Sequence, residues 1–399
     1  MTMQPRTTII GGGAAGFFCG IQLKTMCPRM EVCICESGRR VLRKVAVSGG
    51  GRCNVTNTFE GVSDLQAVYP RGHRLMKRLF NVFSPQDTYR WFEEHGVPLT
   101  VQPDHCVFPQ AQDAQAVISC FLRETRRLGV EIRTECRIDS LPSPADHEYV
   151  VVTTGGVQPS SHLLPPSFLV QRPVPSLYSF RIDDEQLHAL MGTVVEQAHV
   201  LLPGTKLKAE GPLLLTHWGM SGPAVLRLSS YGARLLAEKG YRHPLSVNWA
   251  GQGSATVQQE LSRLSADSPQ KLLPNLRPFG LPARLWEYLT QKALGERSRA
   301  PWGSLNRKEL NRLLNTLTND EYLVSGRAPF KDEFVTCGGV DLKSVNPATL
   351  ESRERPRLFF AGEVLDVDGV TGGFNFQCAW TTAFVVAQSI ARSEGELGE

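Results

Sequence analysis

The sequence predicts an α/β protein whose parallel-sheet domain is begun by the N-terminus, interrupted by an insertion and completed by the C-terminus. Three observations predict it. "IIGGGAAG" follows an apolar run and opens a helix-like stretch near the start of the chain. The texture then turns rich in Pro and Ser at "VQPSSHLLPPSFLVQRPVPS", and short alternating apolar runs follow. Finally "RLFFAGEVLDVDGVTGGFNFQCAW" returns to strand, glycine loop and helix. Together they describe one α/β domain in two parts, with residues of about 172–330 inserted between them. The expected boundaries are 1–171 and 331–399 for its two parts, 172–255 for a β-rich insert and 256–330 for a basic helical subdomain.

Residues 7–10 are a buried strand, the glycine cluster opens a helix, and "MEVCICE" is a second strand. This is a β-α-β unit, since parallel strands need a crossover. Leu75, Leu79, Val82 and Phe83 put one helix over 74–95, and Ala116, Val117, Cys120, Phe121 and Leu128 another over 112–128. "VEIRTECRIDSL" and "EYVVVTTGG" alternate or run apolar as strands do. "SLYSFRI", "GPLLLTHWG" and "HPLSVNWAG" are short strands of the insert. Residues 256–317 are helical by pattern, broken by "LLPNLRPFGLP" and "RAPWGS".

At 399 residues the chain exceeds one small core, and 41% hydrophobic with 21% charged residues is an ordinary globular composition. No apolar run approaches a membrane span, and "MTMQPR" leads into "TTII" without a signal core, which predicts a cytoplasmic protein with no membrane partner. The ten cysteines are scattered without a C-x-x-C, so neither a disulfide framework nor a metal site is expected. Cys33 and Cys35 share one face of a strand and are read as core. Charge is uneven: residues 172–330 carry +6 and the remainder −2. Residues 271–312 hold nine cations (Lys271, Arg277, Arg284, Lys292, Arg297, Arg299, Arg307, Lys308, Arg312) against three carboxylates. Such a segment suits a polyanion, or is simply a solvated helical face.

Gly11, Gly13 and Gly16 form G-x-G-x-x-G between strand and helix, and Glu36 closes the second strand twenty residues after Gly16. The glycines permit the turn, the approach of a pyrophosphate and close helix–strand packing, and the acid accepts ribose hydroxyls. A second loop, "SGGGRCN", follows the second strand without the frame of another fingerprint. One dinucleotide fold with an extra glycine loop points to one long ligand, FAD, over two nucleotides. "LFFAGEVLDVDG" offers Glu363 and Asp366 to ribityl hydroxyls, and "TGGFNFQ" opens a long helix whose N-terminus suits a flavin's pyrimidine edge.

"IIGGGAAG", "VSGGGRCNVTN", "THWGMSGPAVL", "TCGGVDL" and "FAGEVLDVDGVTGGFNFQCAW" together resemble a bacterial FAD-dependent flavoprotein family. Its members include aminoacetone oxidase, a bile-acid enone reductase and a 23S ribosomal RNA dihydrouridine synthase. The resemblance covers nearly the whole chain. It implies a split FAD-binding Rossmann-type domain with an inserted β-barrel-like domain and a small helical domain. It also implies FAD contacts at Gly11, Gly13, Ala14, Ala15, Gly16, Glu36, Lys44, Ser48, Gly49, Arg52, Cys53 and Asn54. Further contacts fall on Ile138 (by the adenine), Thr154, Gly155, Gly362, Glu363, Asp366, Gly373, Phe374, Asn375 and Phe376. One departure is the proline-rich segment 157–175, where many members are glycine-rich.

The expected chemistry is reduction of a polarised C=C bond by hydride transfer from reduced flavin, with uridine in 23S rRNA the leading substrate and NAD(P)H a transient donor. A small enone, oxidation of a small amine such as aminoacetone, and an RNA-binding protein with structural FAD are the alternatives. The reduction needs a proton donor. Cys53, flanked by Arg52, is one candidate, against a reading as loop packing, and His217 of the insert, which would donate a proton or bind substrate, is the other, against a reading as a hydrogen-bonded structural histidine. Ser221, before Gly222-Pro223, is read as a helix cap. Trp286, Tyr288 and Trp302 lie among the cations of 271–312, where they would stack on bases or pack a core.

Overall fold

The computed structural model describes residues 4–142, 148–157, 163–165, 167–328 and 335–396. The chain divides into two compact units, Met1–Val174 with Val335–Glu399, and Pro175–Phe334.

The first unit opens with strand β1 (Arg6–Ile10), helix α1 (Ala14–Met26) and strand β2 (Glu31–Cys35). Every residue of α1 from Ala15 to Leu23 is buried, as befits a helix covered on all sides. Helix α2 (Arg43–Gly51) loses regular geometry at Ser48 (ψ 150), and left-handed Gly49 and Gly50 follow. Short strand β3 (Thr56–Asn57) and helix α3 (Leu65–Val68) come next. The single helix expected over 74–95 is two, α4 (His73–Leu79) and α5 (Pro85–Glu94). The break is the capping box of Ser84 and Asp87 with Pro85 at the first position, a start signal that overrides continuous apolar spacing. After β4 (Leu99–Val101), β5 (Cys106–Pro109) and α6 (Gln115–Leu128), strand β6 is only Glu131–Arg133. Glu135 turns left-handed at φ 55, so "CRIDSL" is not the strand the alternation predicts, and Ile138 lies half-exposed beyond it. Strand β7 (Glu148–Val152) follows. In the departing segment 157–175, residues 158–162 and 166 lie outside the described ones. Its end is strand β8 (Val170–Ser176), not irregular linker.

The second unit contains a closed antiparallel barrel. Its strands are β9 (Phe180–Ile182), then, after α7 (Glu185–His188), β10 (Val194–Leu201), β11 (Lys208–Thr216) and β12 (Gly219–Ser221). Helices α8 (Pro223–Tyr231) and α9 (Ala233–Glu238) precede β13 (His243–Asn248). Helices α10 (Ser254–Asp267), α11 (Ala283–Leu294) and α12 (Arg307–Thr318) come before the last strand, β14 (Asp320–Arg327). The ring runs β10-β11-β12-β9-β14-β13. The helical stretch is therefore spliced into the barrel, between two paired strands, and shares one core with it: Phe180, Leu213 and Met220 belong with Trp249, Trp286 and Trp302. The sequence suggested two inserts at 255/256 because the period changes there, but period does not report who shares a core.

The chain re-enters the first unit as β15 (Val335–Val340), which pairs with β8, then β16 (Leu358–Phe360) and the twenty-residue α13 (Phe374–Ser393). The main sheet is fully parallel, in the order β16-β7-β1-β2-β6. Its order reverses between β1 and β7, which makes their carboxyl ends the crevice where such sheets bind ligands. No described helix is long and apolar enough to cross a membrane.

Asp320 anchors the second unit. Its buried carboxylate accepts from Trp249 Nε1 at 3.0 Å and the Tyr322 hydroxyl at 2.5 Å, and meets Lys292 Nζ at 2.6 Å. Surface pairs such as Arg263–Glu260, with an exposed arginine and a half-buried glutamate, contribute under ~1 kcal/mol, whereas removing one partner of a buried pair costs ~3 kcal/mol or more. Asp320→Ala is therefore expected to lower the denaturant midpoint of this unit by far more than Glu260→Ala. Equal midpoints would show that Asp320 is not an anchor.

Candidate cofactor site

At the carboxyl edge of the sheet, the fingerprint glycines divide the work. A Cβ on Gly16 would stand 2.0 Å from Gly11 O, so only glycine lets α1 lie on the loop. A Cβ on Gly13 would meet nothing within 4 Å, so that face is open to a ligand. No side chain caps α1, which leaves first-turn N–H groups at Ala14, Ala15 and Gly16 for an anion. Glu36 Oε2 accepts from Gly12 N at 2.9 Å and Oε1 from Gly38 N at 2.7 Å. These bonds lock the carboxylate at the end of β2 and leave it lone pairs for hydroxyls.

The second glycine loop joins this edge through α2. At its start, Lys44 Nζ meets Glu363 Oε2 at 2.6 Å, and Glu363 Oε1 accepts from Thr336 N at 2.8 Å. Glu363 also borders Gly155, and Gly362 packs against Ala15 in the first turn of α1. At the other end of α2, Ser48, Gly49, Arg52, Cys53 and Asn54 sit together. Arg52 lies over the Phe108 ring at 4.3 Å and donates to Gly49 O at 3.0 Å. In the amide orientation that satisfies both its ends, Asn54 accepts from Gly373 N at 3.0 Å and donates to Thr56 O at 2.9 Å. Gly373 is left-handed, and a Cβ there would lie 2.3 Å from Thr56 O. The loop thus ends at the N-terminus of α13, where no side chain caps the N–H groups of Phe374, Asn375 and Phe376. The Asn375 side chain turns back to Gly369, accepting from its N at 2.8 Å and donating to its O at 2.9 Å. Phe376 stacks on Trp380 at 5.6 Å.

Both glycine loops therefore line one face: α1 N-terminus, Glu363 with Lys44, glycine loop, α13 N-terminus. Thr154 and Gly155 lie on it at the end of β7, and Asp366 follows Glu363, its N–H bonded to Val340 O at 3.0 Å. The residues fit a long dinucleotide such as FAD: a Cβ-free cradle at Gly13, Gly50 and Gly51, uncapped donors at each end, and carboxylates between.

The candidate proton donors fare differently. Cys53 is 0% exposed at φ 60, and burial pushes its thiol up to about 12. Nothing can reach it, and Arg52 is turned to Gly49 and Phe108, so the proton-donor expectation is corrected to packing. His217 is exposed in the tight turn between β11 and β12, its ring against Trp218 at 4.3 Å. Ser221 is not a cap: Gly222 is, with Pro223 first in α8, while the Ser221 hydroxyl meets Ser179 at 2.6 Å.

Sequence reasoning missed the clamp at the α13 end. Arg71 and Asp368 form a bidentate ion pair with side chains 12% and 0% exposed. The Tyr69 hydroxyl donates to Phe374 O at 2.7 Å, and Thr56 Oγ1 to Gln377 Oε1 at 2.5 Å. Nothing local signals a pair whose members stand 297 positions apart; the only hint is the second acid of "DVDG".

This fold and site define a Rossmann-type dinucleotide-binding protein. The chain belongs to a particular family of that class: the profile described as "HI0933-like protein Rossmann domain" matches residues 5–389. It is 30% identical to the ribosomal RNA dihydrouridine synthase of Escherichia coli, over 96% of this chain and 97% of that protein. The Haemophilus influenzae protein of the same name is 27% identical, over 98% and 100%. The 3-dehydro-bile acid delta(4,6)-reductase of Clostridium scindens is 26% identical, over 97% and 99%.

Two outcomes are expected. Gly13→Val, whose Cβ meets no protein atom, keeps the thermal midpoint but purifies without flavin absorbance, whereas Gly16→Ala loses stability as well; a flavin-replete Gly13→Val would put the ligand elsewhere. Secondly, burial raises the thiols of Cys19, Cys53 and Cys378 from 9.0 to about 12. A raised folded value means stability is complete below 9.0 and lost as pH climbs toward 12, because only the unfolded chain ionises. Urea midpoints should fall across this range, and less steeply in Cys53→Ala.

Proposed function

We propose that the protein is an FAD-dependent reductase of a polarised C=C bond, with uridine in 23S rRNA as its leading substrate. The observation that carries the flavin reading is the face joining both glycine loops, which runs from the N-terminus of α1 past the Lys44–Glu363 pair to the N-terminus of α13. The pyrophosphate falls to Gly11–Gly16, a ribose to Glu36, the ribityl chain to Glu363 and Asp366, and the pyrimidine edge to Phe374–Phe376. Ile138 belongs to the adenine end, while Gly155, which borders Glu363, stands with Thr154 toward the ribityl chain. When bound there, FAD supplies the two-electron chemistry. The chain's own part is to bind, orient and protonate. His217, exposed and without a carboxylate partner among the described residues, is the proposed proton donor, and NAD(P)H the transient electron donor.

RNA is favoured over a small substrate by two supports. Two relatives carry that activity in their names. And of the nine cations in 271–312, five (Lys271, Arg277, Arg307, Lys308, Arg312) are exposed and form no ion pair among the described residues, although Arg312 stands near enough to Glu309 to help hold its carboxyl low. The rest are engaged: Lys292 with Asp320, Arg297 with Glu309, Arg299 with Glu287, and Arg284 with Ala189 O. Trp286 and Trp302, 1% and 0% exposed and stacked on each other at 6.1 Å, pack the core, the second of the two fates expected for them, and do not offer faces to bases. Tyr288 is likewise turned inward, its hydroxyl 3.3 Å from Asp184.

The test is the dihydrouridine content of 23S rRNA with and without the gene. Loss on deletion, restored by wild type but not by Gly13→Val, is expected. His217→Gln should keep its flavin and lower turnover ~100-fold or more. Unchanged dihydrouridine would turn the search to small enones, the chemistry in the Clostridium relative's name, and to small amines.

A further inference from the structure

Helix α4 carries Arg74, Lys77 and Arg78, all exposed. Positions i, i+3 and i+4 put the three cations on one face. Leu75, Met76 and Leu79 bury the opposite face. None of the three meets a carboxylate among the described residues. Much of the same unit's surface is neutralised: Arg6 pairs with Glu31, Arg39 with Glu135, Arg90 with Asp87, Arg123 and Arg127 with Glu124, Arg133 with Glu131 and Arg137 with Asp139. The cations at the end of a short helix complement its dipole, but that needs only one of them and does not require them to be unpaired.

What distinguishes α4 is where it is fastened. The segment before it is held to the loop preceding α13 by the buried Arg71–Asp368 pair, by Val370 N donating to Val68 O at 2.9 Å, and by the Tyr69 hydroxyl on Phe374 O. An exposed helix needs no such clamp to fold, yet this one is fixed beside the N-terminus of α13, the end of the face assigned to the flavin's ring. Between them lie two half-buried rings, Phe59 and Phe80, T-stacked at 5.3 Å, with Phe59 on Phe374 at 5.1 Å. Phe59 is held left-handed at φ 62, a strained setting for a bulky residue, by its N–H on Asn57 Oδ1. Unpaired cations beside aromatic rings are the composition of a single-stranded RNA surface: phosphates on the charges, bases against the rings.

We propose that the exposed face of α4 is an RNA-docking surface of the first unit, holding phosphates that flank the reacting nucleotide through Arg74, Lys77 and Arg78. This rests on the RNA reading above and adds to it a surface outside residues 271–312. A small uncharged enone would have no use for it.

The experiment measures binding of a fluorescein-labelled single-stranded RNA of mixed sequence to the purified holoprotein across a salt series. Three phosphate contacts contribute about 2 to the slope of log K against log salt. The triple variant Arg74→Gln/Lys77→Gln/Arg78→Gln should lose that much slope and bind at least ~10-fold more weakly at moderate salt, with flavin content unchanged. A triple of equal charge change at exposed Arg29, Arg126 and Arg392 should leave the slope at the wild-type value. Lys77→Gln alone, which removes no buried group, should lower it by about 0.7, and Arg74→Lys/Arg78→Lys should preserve it. A wild-type slope in the α4 triple, or equal losses in the two triples, would overturn the α4 surface and leave the RNA reading standing. Absence of RNA binding by wild type even at low salt would overturn both.

Discussion

Everything in the first unit depends on how closely α1 can lie against its surroundings. It begins just past the end of β1, and the contact of Gly16 with Gly11 O leaves no room for a single carbon. That approach turns the first-turn N–H groups outward at the sheet edge. It also brings α1 near enough to α13 for Gly362 to meet Ala15 and for Phe18 to pack on Trp380 at 5.5 Å. A larger residue at Gly16 would push α1 outward, and α13 and the second glycine loop would lose their seat. The binding face is thus a consequence of helix packing.

Around this seat the polar groups are satisfied across long sequence separations. Trp380 Nε1 donates to Val55 O, Thr381 Oγ1 to Phe83 O and Thr382 Oγ1 to Cys378 O, while Thr382 Oγ1 accepts from Gly362 N. Each is a buried group that costs little when paired and 1–3 kcal/mol when not, so together they hold the α13 register tightly. The N-terminus of α13 is thereby kept from sliding, its position set at once by the residues just before β3 and α5 and by the loop after β16.

Charge follows a different rule from packing. The carboxylates that matter are buried or half-buried and fixed by backbone N–H groups, as with Glu36 and Glu363. The cations that matter are those left over. Within 271–312 four are consumed internally and five remain, and on α4 three remain while many neighbours pair off. A count of basic residues overstates a polyanion surface, because arginine is also the residue that best braces a fold.

Local patterns in the sequence were enough for the β-α-β opening, the fingerprint, Glu36, the return of the α/β domain at "LFFAG" and the helix after "TGGFNFQ". Each is written in a few adjacent residues whose steric demands do not depend on the rest of the chain. The Ser84-Pro85 break was equally local, but apolar spacing masked it. Other features were decided only in three dimensions. Cys53 looked reactive beside Arg52 until burial removed it from reach, and whether Trp286 and Trp302 met bases or packed a core was decided by their stacking on each other. β14 closes a barrel across the helices that separate it from β13 in sequence, and Arg71 finds Asp368 at the far end of the chain. Burial, barrel closure and long-range ion pairing depend on which surfaces meet, and a linear pattern carries no information about that. The tertiary structure, through the Cβ-free contact of Gly16 and the Asn54 bridge to Gly373, is what makes two glycine loops one site.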